Sequence, residues 1–348
     1  MDPLVLKDMR QRAAIYDQTG DWPNEDLDAL AQIGAMRWAV PKAFGGDELS
    51  PMELHLRYEE VAAASLSTAL ILTQRDSAIG LIEASENESL RSELLPRLAQ
   101  NEMFATIGIA QLTTSHQRGA PALQAKRVDG GWRIDGVIPW SSGADRAKLV
   151  VAGAAVDDPS ESQKPQILFV LSTTWPGVTI AAPLPLVSLA SSHTTSVTCE
   201  DVLIEDRFIL RGPMPNVLAG RKKTVPLGQA FLAMGLCRAG IDLINEHTSD
   251  LASETARLFD NEFGTLRKSV LHFCDPDHPG DTTIAPQLRG ACNELALRIT
   301  HAAVAMYKGT ALLQGHPAQR LAREALFLLV WSCPNPVIDC TVQLLREG

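Results

Sequence analysis

Six cysteines carry the most reactive side chains in this sequence, and their spacing excludes two kinds of chemistry. Cys199, Cys237, Cys274, Cys292, Cys333 and Cys340 are scattered, with no C-x-x-C pair and no histidine at metal-ligand spacing. They read as reduced thiols, not as a disulfide framework or a metal site. Cys333 follows Ser332; a buried cysteine usually packs as a small hydrophobe, and an unactivated serine hydroxyl is far too weak a base at neutral pH. Trp140-Ser141-Ser142 offers different chemistry, an aromatic face for stacking beside hydroxyls that donate or accept. The competing reading of Trp140 is a tryptophan buried in a sheet.

Charge and composition narrow the partners. Of 348 residues, 45% are hydrophobic and 21% charged, enough apolar material for a large core, and no run is long enough to span a bilayer. The net charge is −10, and the longest basic cluster is Arg221-Lys222-Lys223. Nucleic-acid affinity depends mainly on phosphate neutralisation, so nucleic acid is not an expected partner. Charged residues interrupt the apolar ones from Met1 to Tyr16, unlike a secretory signal, and a cytoplasmic location is the expectation.

The elements that must position these residues come in three blocks: a helical domain over 1–102, a β domain over 103–212 and a helical bundle over 213–348. Ser50-Pro51-Met52-Glu53 combines a hydroxyl N-cap, a proline at N1 and a glutamate at N3, which predicts a helix start. A second helix is predicted from Trp22-Pro23 toward Gly34, a third over Ser89 to Ala99, and a turn at Pro41 to Gly46. After Phe104 the runs become short and β-rich, at Trp132 to Ile134, Leu149 to Val151, Ile167 to Leu171, Val178 to Ile180 and Thr195 to Thr198. They predict an antiparallel barrel or sandwich. Helical periodicity returns after Pro213, with helices expected near Leu227 to Leu251, Ala285 to Leu313 and Pro317 to Trp331.

This order, with its landmarks, resembles the acyl-CoA dehydrogenase family over nearly the whole chain. Pro41-Lys42-Ala43-Phe44-Gly45-Gly46-Asp47 is similar to that family's proline-to-double-glycine turn, and Gly136 to Ala144 to its G-x-x-x-W-I-T segment. Glu200-Asp201-Val202-Leu203-Ile204 is similar to its F-E-D-V-x-V-P strand, Arg323-Glu324-Ala325 to the arginine-acid-alanine step of a late helix, and Pro317 to a proline before it. The resemblance implies a mainly helical fold with a central β domain and a C-terminal four-helix bundle. It also implies FAD, ahead of FMN or a reduced flavin, a small-molecule substrate such as an acyl-CoA, and a homodimer or homotetramer. No metal is implied.

The same resemblance assigns residues to the flavin. Trp140 takes the ring-packing position, and Ser142 the hydroxyl position that is threonine in the family. Leu112 and Thr113 keep the start of an L-T-E-P-x-x-G-S-D loop whose backbone meets the flavin pyrimidine, while the acid and the glycine-serine-aspartate end are lost. The R-x-x-x-F-G motif for the adenosine half is not reproduced by Arg257-Leu258-Phe259 or Phe263-Gly264. Lys308-Gly309-Thr310-Ala311 keeps one glycine of three in the partner-facing loop.

The expected catalytic base is missing from both places where the family carries it. Counting from Arg323-Glu324-Ala325 places Ser332 at the glutamate of Y-E-G-T, followed by Cys333 and Pro334. The alternative glutamate position, in Pro226-Leu227-Gly228-Gln229-Ala230-Phe231, holds Gly228. Three functions remain compatible with this pattern: a flavin oxidoreductase with a base drawn from elsewhere, a flavin monooxygenase of the same fold, and an inactive binding or assembly subunit.

Overall fold

Ser50 and Glu53 show how directly local chemistry sets the helix starts. The Ser50 hydroxyl accepts the Glu53 amide at 3.3 Å while the Glu53 carboxylate accepts the Ser50 amide at 2.9 Å, so two amides with no partner inside the helix are satisfied reciprocally. In the computed structural model, which describes residues 1–112, 123–157, 164–219, 227–275, 277 and 282–347, this cap opens the third of five N-terminal helices. They are α1 (Pro3–Thr19), α2 (Asn24–Gln32), α3 (Pro51–Ala64), α4 (Leu66–Glu83) and α5 (Glu88–Ala99). The expected turn at 41–46 forms, and only glycine fits its end: a Cβ on Gly46 would lie 1.8 Å from the Val40 carbonyl oxygen.

Among the described residues eight strands follow: β1 (Ala105–Gly108), β2 (Leu123–Val128), β3 (Gly131–Ser142), β4 (Leu149–Val156), β5 (Gln166–Ser172), β6 (Val178–Ile180), β7 (Thr194–Glu205) and β8 (Ile209–Met214). They form one sheet in the order β6-β7-β3-β2-β4-β5-β8, with β1 also on β4. The sheet is mixed: β1 and β2 run parallel to β4, along the edge opposite β5, and the other described pairings are antiparallel. Parallel pairing arises because residues 143–148 carry the chain from β3 past β2 before β4 begins.

The C-terminal helices are α6 (Gly228–Asn245), α7 (Asp250–Phe273), α8 (Ala285–Tyr307), α9 (Pro317–Leu328) and α10 (Asn335–Glu347). The helix expected to run from Leu227 to Leu251 therefore stops earlier, and a separate helix begins. Ser249 causes the break, since its hydroxyl caps the Ala252 amide at 3.2 Å.

One apolar core is shared by the first and last helical blocks, with Leu66 and Leu70 of α4 in the same cluster as Phe231 and Met234 of α6 and Leu295 of α8. α3 and α6 approach closely where Gly235 faces Ala62, since a Cβ on Gly235 would lie 2.6 Å from that of Ala62. Glu59 of α3 binds Arg267 of α7 through two hydrogen bonds, at 2.7 and 3.1 Å. The arginine-acid-alanine step becomes a clasp between blocks. Arg323 donates to the Asp17 carboxylate of α1 and to the Val187 carbonyl, while Glu324 is buried in a pair with Arg320 at 2.9 Å.

Candidate functional site

β3 presents its chemistry through an irregularity. Between the pairs Ile138↔Val197 and Ser141↔Thr195 the strand carries one extra residue, a bulge occupied by Pro139 and Trp140. Proline has no amide hydrogen for the ladder, so a bulge is where β3 can accommodate it. The extra residue breaks the in-out alternation, and Trp140 is 51% exposed while Ser141 is fully buried. The reading of Trp140 as a buried sheet tryptophan is thus excluded by the fold.

Ser142 ends β3 in a chain of hydroxyls. Its Oγ lies 2.8 Å from Thr194 Oγ1 on β7, which lies 2.8 Å from Ser192 Oγ. The Ser142 carbonyl accepts from Thr106 Oγ1 of β1 at 2.7 Å, which fixes the strand end. Behind it, Gly143 (φ +69°) leaves room for the Trp22 ring, which packs edge-on against His193 and Phe104. His193 Nδ1 lies 2.7 Å from the Asp145 carboxylate, and its Nε2 lies 3.1 Å from the Gly20 carbonyl, tying this end of the sheet to α1. A half-exposed indole face beside a fixed hydroxyl chain fits a planar ring with polar edges.

Leu112 ends the short helical turn Ala110–Leu112, which follows β1 and lies against β3 and β4. It packs over Gly153 of β4, where an added Cβ would fall 2.3 Å from a Leu112 methyl, while Gln111 donates to the Gly108 and Gly153 carbonyls at 2.8 Å each. Leu112 is thus a packing residue here, and any flavin contact from this loop would come from its backbone. Thr113 lies outside the described residues, as does the Arg221 to Lys223 cluster.

The two positions expected for a base come together in space. Gly228 opens α6, and its neighbour Gln229 reaches Ser332 Oγ from Nε2 at 3.4 Å. Ser332 is exposed and holds a left-handed backbone at φ +49°. Cys333 is buried; its thiol donates to the Leu328 carbonyl at 3.2 Å and burial raises its pKa, so it is a packing thiol and not a nucleophile. Burial likewise pushes the Cys199 and Cys292 thiols up to about 12. All six cysteines are free, and among the described residues no group of His, Cys, Asp and Glu could hold a metal ion.

His55 packs against this start of α6, and sequence reasoning did not single it out. Its Nδ1 lies 2.7 Å from the Pro51 carbonyl, one turn back on α3; a carbonyl only accepts, so Nδ1 carries the hydrogen and Nε2 keeps its lone pair. Tyr58 and Phe231 pack edge-on against the ring at 5.4 Å each. A Cβ on Gly228 would lie 2.6 Å from Nε2, so the glycine makes the space that the imidazole fills. Burial lowers the pKa of His55 and keeps it neutral, opposed only by the Pro51 hydrogen bond. The one sequence signal was the interval of four from the N1 proline.

The adenosine-half candidates offer less. Arg257 is exposed and paired with Glu254 on its own helix. Lys308 adopts φ +55°, and a Cβ on Gly309 would meet nothing within 4 Å, so packing does not require that glycine. Among the described residues no helix is long and apolar enough to cross a membrane.

Helices, a central sheet and a further set of helices, with an outward tryptophan at the sheet's end, define an acyl-CoA dehydrogenase-like fold. Residues 3–102 match the family model "Acyl-CoA dehydrogenase, N-terminal domain". The probable acyl-CoA dehydrogenase YngJ of Bacillus subtilis is 23% identical over 347 residues, covering 92% of this chain and 89% of its own. Among solved structures, the glutaryl-coenzyme A dehydrogenase glutaryl-CoA complex superposes with a TM-score of 0.83 at 17% identity, over 99% of this chain and 94% of that one. A dibenzothiophene monooxygenase (TdsC) from Paenibacillus sp. A11-2 gives 0.78 at 14% identity, over 99% and 94%. The first hundred residues thus match the acyl-CoA dehydrogenase N-terminal domain, and the chain as a whole is similar to acyl-CoA dehydrogenases in sequence and fold.

Proposed function

We propose that this protein is an FAD-dependent oxidoreductase acting on an acyl thioester or a closely related substrate. The observation that carries this reading is the bulge in β3, which spends a large aromatic side chain on the surface beside the Ser142–Thr194 hydroxyls. Exposing an indole forgoes the gain of burying it, about 25 cal/mol per Å² of apolar surface, and a stacked planar ligand would recover that burial. When bound, the flavin supplies the hydride acceptor. Trp140 would hold the face of its ring and Ser142 its polar edge, while the Gly228–Ser332 end would face the substrate.

The test is to purify the protein with added FAD and add butyryl-CoA without oxygen. Bound oxidised FAD whose yellow colour bleaches with the thioester is the expected result. Retention of reduced flavin alone would replace this reading with a monooxygenase, and no retention under either condition with a binding or assembly subunit.

We also propose self-association, as a dimer or tetramer. Ile338, Val342 and Leu345 are 40, 49 and 48% exposed at i, i+4 and i+7 along α10, an apolar stripe that a second copy could cover. Light scattering should return a multiple of the chain mass at micromolar concentration, and a monomer there would overturn it. The free thiols support a reducing, cytoplasmic setting.

A further inference from the structure

His55 has the properties of a proton acceptor, and nothing in the packing of the fold uses them. Its tautomer is fixed by the Pro51 carbonyl, its plane by Tyr58 and Phe231, and its Nε2 has no hydrogen-bond partner among the described residues. His193, by contrast, is committed at both nitrogens, to Asp145 and Gly20. A spare lone pair held rigidly beside the first turn of α6, where Gln229 meets Ser332, is placed to act on a ligand. We propose that His55 is the proton acceptor of this site, delivering from α3 the base that neither Ser332 nor Gly228 can supply.

This inference rests on the acyl-thioester reading above. The step is the removal of a proton α to the thioester carbonyl. The C–H bond breaks, its proton bonds to Nε2, and the electron pair stays on the substrate as an enolate until a proton from solvent returns. The acceptor must be neutral to act, and desolvation keeps it so at neutral pH. Tyr58 faces the ring from its own helix, and Gly228 and Phe231 face it from α6; none carries a charge, and the Tyr58 hydroxyl is committed to Asp76 at 2.8 Å.

The test is deuterium uptake at the α-carbon of butyryl-CoA in heavy water, read by mass spectrometry on the flavin-loaded protein with no electron acceptor. Wild type should exchange. His55→Gln should slow exchange about 10²- to 10⁴-fold with flavin absorbance and melting unchanged, and His55→Ala should regain exchange when imidazole is added. Wild-type exchange should hold level as pH falls past the ordinary imidazole value of 6.5 and drop only below it, because burial lowers this pKa. That profile decides the matter even if a variant fails to fold.

Undiminished exchange in a folded, flavin-loaded His55→Gln, or a profile level into the carboxylate range, would overturn His55 as the acceptor and leave the oxidoreductase reading standing. A wild type that neither exchanges nor bleaches with the thioester would overturn both.

Discussion

The two ends of β3 carry the same residue type in opposite circumstances. Trp132, near the start of the strand, is 5% exposed, packs in the sheet core with Ile134 and Ile204, and has the Arg127 guanidinium 5.1 Å from its ring centroid. Trp140, eight residues on, stands half-exposed past the bulge. Spacing by an even number would put both on one face of a regular strand, and the extra residue at Pro139 separates them. The difference teaches that a local backbone feature, not residue type or hydrophobicity, decides whether an aromatic is structural or available to a ligand.

Substitutions can break that comparison. The largest effect should come from Trp132→Ala, which leaves a cavity in the sheet core and should cost about 3–5 kcal/mol of stability, measured by denaturant unfolding. A loss within surface-substitution range would mean that Trp132 is not a core residue.

Trp140→Ala should do the reverse. It should change stability by no more than about 0.5 kcal/mol while weakening FAD binding about two- to tenfold, read by fluorescence titration. Equal losses of flavin affinity from both variants, each still folded, would remove Trp140 from the site.

Legibility in the sequence followed how local the deciding interactions were. Ser50, Pro51 and Glu53 declare a helix start because every partner in that cap lies within three residues. The strands at 132, 149, 167, 178 and 195 were readable for the same reason, each being a short β-rich run between turns. β1, β2 and β8 were not read, and the parallel pairings on β4 could not be, because partner choice depends on residues far along the chain. The end of α6 was overrun because Ala, Leu and Ile continue across a break that a single hydroxyl at Ser249 decides. At the site, Trp140, Ser142, Gly228 and Ser332 were found by resemblance, which locates positions but does not see what replaces a lost side chain. His55 lies 173 residues before Gly228, and only the crossing of α3 and α6 reveals that the two share one space.

That shared space also constrains the chain's history. A glutamate introduced at 228 would place its Cβ within 2.6 Å of the His55 ring, so the carboxylate cannot simply be put back. The imidazole would first have to shrink or leave, and under the proposal above that intermediate sequence has neither base. Glycine at 228 is therefore held in place for as long as histidine occupies 55, and the route between the two kinds of base passes through a protein that has neither.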